Sequence, residues 1–171
     1  MMDKILYQGE WVQVILRDGW YEFAKAVSSQ GVCYILPYRT NGNNFEILGR
    51  YENTPAHEDG IQLTSITGGL PVDMTVAEAA AREMYEEAGY MVKPDELTSL
   101  GTVRLSKMTD TIAYMFAIDV TNKERREAPG DGTKGEADAY CDWVTMKEAL
   151  LCKDPVMAAM IVRVARENGN H

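Results

Sequence analysis

The spacing of apolar and polar residues changes character several times along this chain. Residues 11–27, "WVQVILRDGWYEFAKAV", place Asp18-Gly19 between two β-prone runs, which predicts a β-hairpin. Residues 31–39 are almost continuously apolar, as a buried strand requires. "NGNN" at 41–44 is a turn, and "FEILGRY" is the strand after it. "IQLTSIT" alternates and runs straight into Gly68-Gly69. A helical period then takes over. Met84, Ala77, Ala80, Ala81 and Ala88 form one stripe, a capping box of Thr75 and Glu78 starts the helix, and Gly89 stops it.

Strand patterns return at 100–105 and 111–120, and "AYCDWV" follows a polar loop at 121–138. Thr145 with Glu148 caps a short helix; Asp154-Pro155 starts the last one and Gly169 ends it. Strand and helix do not alternate regularly, so the order predicts an α/β sandwich with a mixed sheet, not a doubly wound one.

The 171 residues suit one domain with, at most, a small appendage. A formal charge of −9 argues against nucleic acid, which is held by clustered Lys and Arg. Phosphates remain within reach if a divalent cation is recruited first. No apolar run approaches the ~18 residues of a membrane span, and the N-terminus lacks a signal-peptide pattern. Cys33, Cys141 and Cys152 have no metal-ligand spacing, and their odd number points to reduced thiols in a cytoplasm, with Cys33 in the core. Zinc has no evident home, since the histidines are His57 and the terminal His171.

The helix is crowded with acids. Glu83, Glu86 and Glu87 converge on one face, and Arg82 stands four residues from both Glu78 and Glu86, able to pair with either. Such a face is either solvated or built for a cation. Two features favour the cation. The acids sit at the C-terminal end, where the helix dipole disfavours anions, and they follow a Gly-Gly turn where backbone can approach a ligand. Grouped carboxylates are the hard ligands preferred by Mg²⁺ or Mn²⁺.

"GGLPVDMTVAEAAAREMYEEAGY" resembles the Nudix box, Gly-x5-Glu-x7-Arg-Glu-U-x-Glu-Glu-x-Gly-U with U apolar. Gly68, Arg82, Glu83, Met84, Glu86, Glu87 and Gly89 fall at the pattern's spacing. The resemblance implies a Nudix-type α/β/α sandwich over residues 30–171, preceded by a hairpin extension at 1–29. It implies a hydrolase that cleaves the diphosphate linkage of a nucleoside diphosphate derivative. Glu83 and Glu87 would be the main metal ligands, with Glu86 and the Gly68 carbonyl assisting. Arg82 would orient the glutamates. The general base would be Glu86 or Glu136, the latter in the acidic loop before the last strand.

Arg50 and Arg39 end strands and could hold substrate phosphate. Met74 occupies the slot of the first box glutamate, which implies altered metal number or affinity. The N-terminal hairpin resembles the ADP-ribose pyrophosphatase branch, whose members often dimerise through those strands. That branch tends to carry a proline downstream of the box, absent here between Pro94 and Pro129. The alternative implied by Met74 is a weak or inactive Nudix-fold ligand sensor.

Overall fold

The structure is a computed structural model that describes residues 1–27, 31–42, 44–57, 60–130 and 138–168. Among the described residues the strands form two sheets. The first is an antiparallel sheet of β1 (Asp3–Gln8), β2 (Val12–Arg17) and β3 (Tyr21–Ala26). Its expected hairpin is β2–β3, turned through Asp18, Gly19 and Trp20, with Asp18 and Gly19 left-handed at φ of 51° and 78° and the Trp20 N–H on the Arg17 carbonyl. β1 is a strand the sequence reading did not foresee. It has no buried position, and Arg17 grips its Asp3 through two hydrogen bonds of 2.8 Å.

The second sheet has the order β10-β5-β4-β9-β8, with β6 added to β5 and β7 to β4. Its strands are β4 (Val32–Asn41), β5 (Asn44–Asn53), β6 (Ile61–Thr64), β7 (Ile66–Gly69), β8 (Thr98–Arg104), β9 (Ile112–Asp119) and β10 (Tyr140–Thr145). The central pair β4·β9 is parallel and the other pairings are antiparallel. β4 changes partner along its length, pairing with β7 at 32–35 and with β5 at 38–41. Pro37, which has no N–H to give, falls between those two stretches.

Alternation along β4 and β9 divides the core in two. Cys33, Ile35, Phe116 and Ile118 face α1 (Val76–Glu86), with Ala80 and Met84 packed on them. Leu36, Ala113, Met115 and Ala117 face α2 (Met146–Leu151) and α3 (Pro155–Asn168), with Ala149, Met157 and Met160 opposite. The result is the expected α/β/α sandwich. Both capping boxes form as read, Thr75 with Glu78 and Thr145 with Glu148. Gly89 takes φ 74° past the end of α1, where its N–H bonds the Tyr85 carbonyl. Gly169 lies outside the described residues.

"IQLTSIT" proves to be two strands. Ser65 breaks it, fully buried, and its N–H and hydroxyl both donate to Asp154 Oδ2. The other Asp154 oxygen caps α3 at the N–H groups of Val156 and Met157. One carboxylate thereby fixes a helix start against a strand corner. The N-terminal sheet docks by the edge of β3 on the β8–β9 turn, where Ala24 exchanges backbone hydrogen bonds with Met108 and Asp110.

Candidate active site

β7 brings Gly68 alongside α1. A Cβ placed on Gly68 would lie 2.2 Å from Cδ of Glu83, so the Glu83 carboxyl group rests directly against the glycine backbone. Glu83 is 7% exposed. An ionised carboxylate buried to that degree needs a compensating partner. Arg82 provides it, with Nη2 at 2.7 Å from Glu83 Oε1, and its Nε stands 3.3 Å from Glu86 Oε2. Glu78 is not its partner, being engaged by Thr75 in the capping box.

Glu87, one turn beyond Glu83, also has a buried side chain, and Arg50 of β5 meets it. Arg50 Nη1 stands 3.4 Å from Glu87 Oε1, and its Nε donates to Glu52 Oε2 at 3.0 Å. Burial alone would depress the Arg50 guanidinium, but Glu87 and Glu52 together hold it above its ordinary value.

Two thiols tie main-chain carbonyls at this site. Cys33 donates to the Gly68 carbonyl and Cys141 to that of Glu87, each at 3.3 Å. Burial, with the Glu83 carboxylate beside it, pushes the Cys33 thiol up to about 12. Burial pushes Cys141 up to about 11, Arg50 opposing and Glu87 adding. Both therefore stay protonated at neutral pH and act as donors.

Next to Gly68, Thr67 lines a cavity of about 480 Å³ whose wall includes Tyr34, Glu52, Thr64, Lys153 and Asp154. Burial, then Asp154 and Glu52, pushes the Tyr34 phenol up to about 12, so it too remains a donor. A cleft of about 750 Å³ between β3 and the β8–β9 turn contains none of the box residues.

Of the residues singled out in the sequence, Gly68, Arg82, Glu83, Glu86, Glu87 and Arg50 come together here. Arg39 does not. It bonds Glu46 at 2.7 Å and covers the Trp143 ring at 4.0 Å, near the β4–β5 turn. Glu136 lies outside the described residues. The chain on either side is anchored at the site, since the Gly130 N–H bonds the Glu86 carbonyl and Tyr140 pairs with Tyr51. Glu52 was missed, although its place two residues after Arg50 on one strand puts both side chains on the same face.

Among the described residues no three carboxylate, thiol or imidazole groups form a ready-made metal cluster. Arg50 and Arg82 hold the acids instead. The donor set nonetheless fits a hard divalent cation. Glu83 and Glu87 stand one helical turn apart, and the space a Cβ would fill at Gly68 is given to Glu83.

A sequence model of the NUDIX domain matches residues 31–164, most of the chain and all of the box. The chain belongs to the NUDIX family. Phosphatase NudJ of Escherichia coli K12 and that of Shigella flexneri are each 29% identical to it over 97 residues. The matched stretch is 55% of this chain and 60% of those relatives, so under two-thirds of their length is represented. A crystal structure of an ADP compounds hydrolase matches with a TM-score of 0.69 at 13% identity, over 99% of this chain and 94% of that one. That likeness is one of fold. No described helix is long and apolar enough to cross a membrane.

Proposed function

We propose that this NUDIX chain hydrolyses the diphosphate linkage of a nucleoside diphosphate derivative with the help of Mg²⁺ or Mn²⁺. The observation that carries the reading is the buried Glu83 carboxylate seated on the Gly68 backbone, one turn from a second buried carboxylate on Glu87. A divalent cation bound there would draw charge from the phosphoryl oxygens and lower the pKa of a water. Glu83, Glu87, Glu86 and the Gly68 carbonyl would hold it. Arg82 fixes the direction of Glu83 by a hydrogen bond and draws Glu86 by an ion pair. Arg50, displaced from Glu87 by the cation, would face the substrate's phosphates. The cavity beside Thr67 takes the organic part of the substrate, its donors and acceptors being Tyr34, Thr64 and Glu52. The fold shared with an ADP compounds hydrolase agrees with a nucleotide substrate.

The general base is Glu86 or Glu136. Glu86→Gln and Glu136→Gln, each assayed with Mg²⁺ against a panel of nucleoside diphosphate derivatives, separate them. Loss of the base should lower kcat by about 10²–10⁴ with little change in KM. Absence of any turnover by the wild-type chain across the panel, product masses checked, would favour the second reading. In that reading Met74, standing in the first glutamate slot, marks a ligand sensor. The free thiols at Cys33, Cys141 and Cys152 agree with a reducing cytoplasm. Ile5, Tyr7, Trp11 and Trp20 stand exposed on or beside the N-terminal sheet, which agrees with a homodimer formed through it. A monomeric mass by light scattering at micromolar concentration would remove that part.

A further inference from the structure

Arg50 and Glu52 share a face of β5, and each touches a second group. Arg50 gives Nε to Glu52 Oε2 at 3.0 Å and points Nη1 at Glu87 Oε1 across 3.4 Å. Glu52 takes the Thr64 hydroxyl on Oε1 at 3.2 Å and forms part of the cavity wall. The cavity, Glu52, Arg50 and Glu87 therefore make one continuous chain of contacts from the organic-group subsite to the box. The two ion contacts are unequal. A formed charge-assisted hydrogen bond measures about 2.7–2.9 Å. The Glu52 contact, at 3.0 Å, approaches that length, whereas the Glu87 contact, at 3.4 Å, is well beyond it. Arg50 is 5% exposed, so it has little water to turn to, and Glu52 and Glu87 both draw on its charge.

We propose that Glu52 is a positioning residue for Glu87, acting through Arg50. By holding the guanidinium at Nε it stops Arg50 from closing on Glu87, and so leaves that carboxylate open to a divalent cation. Without Glu52 the Arg50–Glu87 contact tightens, and the cation must displace a full salt bridge in a desolvated setting. A hydrogen-bond donor of the substrate entering the cavity meets the same Glu52 carboxylate, so substrate and cation are linked through it. The inference rests on Glu87 being a metal ligand, as in the proposed function.

The test is Mn²⁺ binding by the full chain, read from the electron paramagnetic resonance signal of the free ion. It compares wild type, Glu52→Gln, Arg50→Met and the double variant. Glu52→Gln should bind Mn²⁺ about tenfold more weakly, the lower end of what losing an outer partner costs a metal site. In the Arg50→Met background the same change should matter less than about twofold, because no guanidinium remains to hold back. A full effect in both backgrounds would mean that Glu52 acts by its charge alone and would overturn the proposal. An unchanged affinity in Glu52→Gln would overturn it too. Melts in EDTA establish that each variant folds. If Arg50→Met does not, Arg50→Lys replaces it: a lysine cannot fork between two acids, and an undiminished Glu52→Gln effect there counts against the proposal. A wild-type chain that binds no Mn²⁺ fails at the metal reading itself, and is thereby told apart from a failure at Glu52.

Discussion

Glu83 occupies the space that a side chain on residue 68 would need, with its Cγ and Cδ both 2.2 Å from where a Cβ of Gly68 would stand. The neighbouring Gly69 has nothing within 4 Å of the same point. Neither needs a left-handed backbone, so the difference between them is purely one of contact. Gly68→Ala should expel Glu83 and weaken Mn²⁺ binding by about 10²-fold, about what losing a well-placed carboxylate costs a divalent site. Gly69→Ala should change it less than twofold. Equal behaviour of the two alanines in a Mn²⁺ titration would show that the Glu83–Gly68 contact does not matter.

Removing box acids should not relieve strain, contrary to what their mutual repulsion in the sequence suggests, because each is already matched by an arginine. Glu87→Gln leaves Arg50, buried, with one carboxylate fewer. In EDTA this should cost about 1–3 kcal/mol, the range for a buried charge losing a partner. The Glu86 side chain is 26% exposed against 8% for Glu87, and Glu86→Gln should cost under about 1 kcal/mol. Urea titrations of both variants give the comparison; a larger loss at Glu86 would contradict it.

Met74 is 39% exposed, with its sulfur 4.0 Å from Arg82 Nη1. It is therefore no core residue, and Met74→Glu buries no stranded charge. The melting temperature in EDTA should hold within about 2 °C, the equivalent of about 0.5–1 kcal/mol. A carboxylate there adds charge near the cation but also draws on Arg82. The Mg²⁺ needed for half-maximal turnover should fall, by up to about fivefold, for roughly 1 kcal/mol of added attraction. An unchanged requirement would separate the first glutamate slot from metal affinity in this chain.

The two capping boxes set a pH dependence. The Thr75 hydroxyl and N–H hold the Glu78 carboxyl below its ordinary value near 4.5, and Thr145 does the same for Glu148. A depressed folded pKa means stability that is complete above the unfolded value and lost as pH falls through the folded one. Glu78→Gln and Glu148→Gln should therefore flatten the acid limb of stability below about pH 4.5 and leave its neutral slope alone. Denaturant titrations from pH 3 to 7 test this, and an effect confined to neutral pH would refute it.

What the sequence disclosed was whatever is written in short spacing. The box, both capping boxes and the Asp18-Gly19 turn are local patterns, and each formed where read. β1 carries no such pattern, since all six of its residues are exposed and it is held by backbone pairing with β2 and an ion pair across the sheet. The break at Ser65 depends on Asp154, 89 residues away, and nothing near Ser65 announces it. Arg39 and Arg50 look alike as strand-end arginines. Only the fold sends one to Glu46 and Trp143 and the other to Glu87.

The parallel pairing of β4 with β9 sets Val32 against Ala113, with the box and four of the sheet's strands, β5 to β8, strung between them. A seam that closes so long a loop forms late, because the chain must surrender its freedom before the contact returns anything. β7 and α1, by contrast, are near neighbours in sequence and can associate before the seam closes. A cation gripping Gly68 and Glu83 would then be bound already at the folding barrier. Added Mg²⁺ should lift the refolding limb of a stopped-flow chevron and barely move the unfolding limb; the reverse would mean that the box is assembled only after the seam.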